Sequence, residues 1–91
     1  MKTFDIYVEH YIEENTYTVY IHHGEPTNDL VHPIEEAENI SFLEAQYMTN
    51  DLIVRYTLHG KVKVNIYEYE DEFNVKSIKT LTSEEFKQIK I

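Results

Sequence analysis

The sequence predicts an α+β fold: a mostly antiparallel sheet of about five strands built from two hairpins, with one or two short helices over about 41–48 and 83–90. Three observations carry the prediction. Apolar residues recur at every second position over 4–12, 17–21, 52–58 and 62–66. Short polar turns join these runs in pairs. Two sequences, Ser41-Phe42-Leu43-Glu44 and Thr82-Ser83-Glu84-Glu85, have the form of helix-starting capping boxes.

In the first pair, Phe4, Ile6, Val8 and Ile12 alternate with Asp5, Tyr7, Glu9 and Tyr11, and His10 falls on the apolar side. Tyr17, Val19 and Ile21 alternate with Thr18, Tyr20 and His22. A Glu13-Glu14-Asn15-Thr16 loop pairs Ile12 with Tyr17 and Val8 with Ile21, so the apolar faces agree. Asp5, Tyr7, Glu9, Tyr11, Thr18, Tyr20 and His22 then point outward.

Gly24 to Asp29 reads as a loop, and Leu30 to His32 as a short strand ended by Pro33. Residues 39–47 fit a strand, but the capping box at Ser41, with Ile40 and Ala45 as its staple, favours a helix from Phe42 to about Met48. Thr49-Asn50-Asp51 reads as a turn. The longest alternating stretch, Asp51 to Glu72, reads as a central hairpin turning at His59-Gly60-Lys61, with Gly60 supplying φ > 0. An odd loop pairs Leu58 with Val62, Tyr56 with Val64 and Val54 with Ile66. Phe73 to Leu81 reads as an edge strand guarded by Lys76 and Lys79. Thr82 caps a last helix with Glu85, and Leu81 and Phe86 are its staple.

Ninety-one residues make a single compact domain, 1–91. No run of about 18 apolar residues spans a membrane. Acids interrupt the N-terminus where a signal peptide needs apolar residues, which points to the cytoplasm; frequent Ile, Lys, Asn, Glu and Tyr, as an A/T-rich genome tends to encode, hint at a bacterial or phage-infected cell. There is no cysteine, hence no disulfide framework. The net charge is −9 and is unevenly placed. Residues 1–50 hold ten acids against one base, Lys2, while 51–91 hold seven of each. Such a surface repels nucleic acid and anionic membranes and attracts basic partners.

Chemistry-bearing motifs are missing. The five histidines (His10, His22, His23, His32, His59) show no metal-ligand spacing, and His22 and His23 point to opposite faces of a strand. Glu68, Glu70, Asp71 and Glu72 lack the spacing of a calcium loop. With only Gly24 and Gly60, there is no phosphate-cradling loop. No catalytic residue, cofactor or metal is expected. Tyrosines stand out instead: Tyr7, Tyr11 and Tyr20 on the outward face of the first hairpin, and Tyr67 and Tyr69 alternating with Glu68 and Glu70. Exposed tyrosine brings contact area with few rotamers to freeze.

Carboxylates two residues apart on a strand are about 6.8 Å apart, close to the interval between phosphates along one DNA strand. In size, acidity, absence of cysteine and lack of catalytic motif, the chain resembles the small acidic inhibitors that phages make against host nucleases, including anti-CRISPR and other DNA-mimic proteins. The resemblance implies a non-enzymatic inhibitor that occupies the basic surface of a nuclease or other nucleic-acid-binding protein. It implies that Asp5, Glu9, Glu13, Glu14, Glu35, Glu36 and Glu38 face arginines and lysines of the target, with Tyr7, Tyr11 and Tyr20 as anchors. An immunity protein or antitoxin would use the same chemistry. From a different class, the chain could be a structural domain that forms a homodimer through edge strands.

Overall fold

Alternation in the first 23 residues makes the two strands at the middle of a five-stranded sheet. The computed structural model describes residues 2–24, 32–71, 74–82 and 84–86. They form β1 (Thr3–Tyr11), β2 (Thr16–His23), β3 (Glu35–Ile40), α1 (Phe42–Tyr56), β4 (Lys61–Tyr69) and β5 (Val75–Thr82), with strand order β3-β2-β1-β4-β5. Only β1 and β4 run parallel; every other neighbouring pair is antiparallel. The α+β class and the five strands are as expected. No helix among the described residues is long and apolar enough to cross a membrane.

The first hairpin forms, two residues out of the expected register. Val8 faces Val19 and Ile6 faces Ile21, and the ladder closes at Tyr11–Thr16. Ile12 leaves the ladder because its N–H donates to the carbonyl of Tyr69, 3.0 Å away. Asn15 closes the turn at φ 55°, a left-handed conformation that asparagine tolerates. A shift of two preserves which side chains face the core, so the inside and outside sets survive.

The central hairpin over Asp51–Glu72 does not form, and neither does the turn at Thr49–Asp51. Ser41 caps α1 as expected, its side chain accepting from the Glu44 N–H while Glu44 accepts from the Ser41 N–H. The helix then continues to Tyr56, well past Met48. The buried positions Ala45, Thr49, Leu52 and Ile53 follow helical spacing, and the Thr49 hydroxyl is satisfied by donating to the Ala45 carbonyl at 2.7 Å. Leu52, Val54, Tyr56 and Leu58 only imitate a strand: Val54 and Leu58 are exposed. The second hairpin is β4–β5 instead. Gly60 has no positive φ. It is small for another reason, since a Cβ there would run into the Lys2 carbonyl, which accepts the N–H of Lys61 as β4 docks beside β1.

Residues 35–38, unassigned from sequence, form the edge strand β3 together with Asn39 and Ile40; the remainder of the alternative strand 39–47 is Ser41 and the start of α1. The expected strand Leu30–His32 lies mostly outside the described residues, and His32 itself is not in a strand. β5 begins at Val75, and Phe73 lies outside the described residues. Of the expected helix 83–90, residues 84–86 are helical and the rest lie outside the described residues. Its capping box is present: Thr82 N–H donates to Glu85 at 3.2 Å and Glu85 N–H to the Thr82 hydroxyl at 3.1 Å.

The core lies on one side of the sheet. Phe4, Ile6, Val8, Tyr17, Val19, Ile21, Val62, Val64 and Leu81 meet Ala45, Leu52 and Ile53 of α1, together with Phe86. This burial drives folding at roughly 25 cal/mol per Å² of apolar area. Among the described residues, nothing covers the other side.

Candidate functional site: the open face of the sheet

The alternation that sends Phe4, Ile6 and Val8 inward sends Asp5, Tyr7, Glu9 and Tyr11 outward. Register then decides their neighbours. Antiparallel β2 sets Tyr20 opposite Tyr7, and their rings stack at 5.0 Å and 16°. Parallel β4 sets Tyr69 beside Tyr11, and these rings stack at 5.1 Å and 12°. Tyr67, beside Glu9, meets Tyr7 edge-on at 6.1 Å, and His22 meets both Tyr7 and Tyr20 edge-on.

Glu9 is the hub of this layer. The Tyr11 hydroxyl donates to its Oε1 at 2.9 Å, and the hydroxyls of Tyr20 and Tyr69 donate to its Oε2 at 3.1 and 3.3 Å. One carboxylate thus ties together β1, β2 and β4. A carboxylate offers about four acceptor sites and no donor, so phenols suit it, and hydrogen bonds to a charged acceptor are the stronger kind. Burial raises the pKa of Tyr11, and the bond to Glu9 adds to it. Burial likewise raises Tyr20 and Tyr69, with the charge of Glu9 next. Burial raises Tyr7 as well, followed by the charge of Asp5. These four hydroxyls stay protonated throughout the physiological range.

Beside Glu9 opens a cavity of about 350 Å³, lined also by Tyr11, Glu14, Thr18, Glu36, Glu38 and Asn39. Four carboxylates and no lysine or arginine line it. The space exists because β3 bulges: its register against β2 shifts between Val19 and Tyr17, and Asn39 sits at φ 54°.

The structure therefore gathers Asp5, Tyr7, Glu9, Tyr11, Tyr20, Glu14, Glu36 and Glu38 on or beside one face. Glu13 stands apart in the exposed hairpin turn, where it lines a small cleft with Tyr69 and Glu70. Glu35 is turned to the helix side. It accepts two bonds from the Arg55 guanidinium, both 2.7 Å, and one from the Tyr56 hydroxyl at 2.7 Å. These bonds, Arg55 foremost, lower its pKa, and they hold it away from the open face. The sequence does not reveal the hub role of Glu9 or the lining residues Thr18 and Asn39. Tyr67 and Tyr69 are legible as outward aromatics, but only the parallel β1–β4 pairing brings them to Glu9.

The histidines are dispersed. His10 stacks on Tyr17 at 4.3 Å on the helix side, with Nδ1 3.9 Å from Glu68. His23 lies against Phe4 and His59 against Tyr56. Among the described residues, no three His, Asp or Glu side chains converge as a metal-ligand set. Comparison of the chain with protein-family models, with curated proteins and with solved structures gives no match, so the functional reading rests on the geometry of the chain itself.

Proposed function

We propose that this protein is a non-enzymatic binder whose open sheet face docks on the basic surface of another protein, of the kind that otherwise holds nucleic acid. One observation carries the reading: five tyrosines surround Glu9 on an uncovered sheet face whose adjoining cavity is lined by four carboxylates and no base. Tyrosine rings supply rigid contact area and a face for stacked guanidinium groups. The carboxylates supply charge complementarity and steer the encounter. The layer is preorganised by its own hydrogen bonds, so little side-chain entropy remains to be lost on docking. Such a binder would inhibit its target by excluding the phosphate backbone, as the small acidic phage inhibitors do.

The test is capture from bacterial lysate on the immobilised protein, with and without nuclease treatment, at low and high salt. The expected result is retention of a nucleic-acid-binding protein that added duplex DNA displaces and that Glu36→Lys with Glu38→Lys abolishes. Those two side chains are exposed, so the fold tolerates the change. Retention that the charge reversals leave untouched would sink the proposal.

A further inference from the structure

We infer that α1 pairs with α1 of a second copy, antiparallel, about a two-fold axis passing near Asn50 and Asp51. The surface concerned is on the far side of the molecule from the tyrosine layer. Leu43, Tyr47 and Val54 are 73%, 77% and 58% exposed, and Leu58, in the turn after the helix, is 82% exposed. At about 100° per residue, Leu43, Tyr47 and Val54 fall within roughly 40° of one another and opposite the inward set Ala45, Leu52 and Ile53. Exposed apolar residues scattered singly need no explanation, but two apolar pairs aligned on one face, divided by the polar Asn50 and Asp51, do.

The order of the stripe selects the occupant. Leu43 and Tyr47 are four apart, and Val54 and Leu58 are four apart, with the centre between Asn50 and Asp51. Read in the reverse direction, the stripe has apolar side chains at the same places. An antiparallel copy therefore sets Leu43 against Leu58 and Tyr47 against Val54, twice over. Two-fold interfaces require such self-complementarity, whereas a foreign helix would not impose it. Beside the stripe runs a groove of about 710 Å³ floored by Ala37, Ile40 and Met48, which can take the partner's Val54 and Leu58. Charge permits the approach despite the net −9. Asp51, near the axis, is already bound to Arg55 at 2.9 Å, and the acidic face points away. The sheet edges suit pairing less, since β3 carries a bulge and β5 carries exposed Lys76 and Lys79.

A helix of 15 residues is about 22 Å long, so the interface is small and the dimer reversible. Sedimentation velocity over about 1 to 300 µM should show monomer passing to dimer in the micromolar range. Tyr47→Glu or Val54→Glu, both at exposed positions and with unchanged circular dichroism, should raise the dissociation constant tenfold or more, while Glu38→Lys should not. Because the chain lacks cysteine, register can be read by cross-linking. A mixture of the Leu43→Cys and Leu58→Cys variants should form a disulfide between unlike chains faster than either variant alone. A monomer at every concentration, a dimer indifferent to Tyr47→Glu, a dimer lost with Glu38→Lys, or a preferred disulfide between two Leu43→Cys chains would each overturn the pairing.

Discussion

Glu9 sits at the crossing point of three strands, and its removal is felt at three hydroxyls at once. Glu9→Gln keeps the size but replaces a charged acceptor with a neutral amide that also carries donors. We expect a loss of about 1–2 kcal/mol in urea unfolding, less than the full contribution of bonds to a charged group because Glu9 is only half-buried and the amide still accepts. The same substitution should change the alkaline titration. In the parent, raised tyrosine pKa values mean that the fold favours the neutral phenols. That stabilisation is complete below the ordinary value of 10.0 and is lost as pH rises through the folded values. With the Glu9 charge gone, tyrosinate absorbance should appear at lower pH than in the parent. An unchanged titration curve would mean that burial alone holds the phenols neutral.

Between elements, Glu35 joins β3 to the last turn of α1 through Arg55 and Tyr56. The bonds lower the Glu35 pKa, so their contribution is full above the ordinary carboxylate value of 4.5 and fades as pH falls through the folded value. Glu35→Gln should cost about 1 kcal/mol at neutral pH, because the pair is part-exposed at 34% and 45%. The variant and parent should converge in thermal midpoint as pH falls towards about 3; a constant gap would assign the effect to packing. Elements differed in how well they could be read in the sequence. The first hairpin was legible because period two and a polar turn agree. The helix start was legible from the Ser41 box, but its length was not: Leu52 and Tyr56 turn to the core while Val54 and, just past the helix, Leu58 are exposed, so the four apolar residues alternate as a strand would, and Asn50-Asp51 resembles a turn. β3 was hidden because Glu35, Glu36 and Glu38 make a poor strand by propensity, and pairing with β2 overrides that. The tyrosine layer was half legible. Alternation places the rings outward, but their meeting at Glu9 depends on a parallel partner 58 positions along the chain, which local pattern does not encode.

At the scale of the whole molecule, the two sides of the sheet have separate work. One side is filled by α1 and holds the fold together. The other collects much of the acidity of the first half of the chain. A net charge of −9 on 91 residues repels itself, and added salt screens that repulsion. Stability should therefore rise when sodium chloride is increased from about 20 to 200 mM, read as a higher urea midpoint at constant slope. A fall would mean that the Arg55 ion pairs outweigh the self-repulsion. The parallel neighbour of β1 has a consequence for synthesis. Of the five strands of this sheet, the first to leave the ribosome is the central one. Its hairpin with β2 can close at once, but its other flank stays bare until β4, ending at Tyr69, has emerged. At roughly 5–20 residues per second that interval lasts a few seconds, during which a nascent chain offers an unpaired strand edge to its neighbours on the same message.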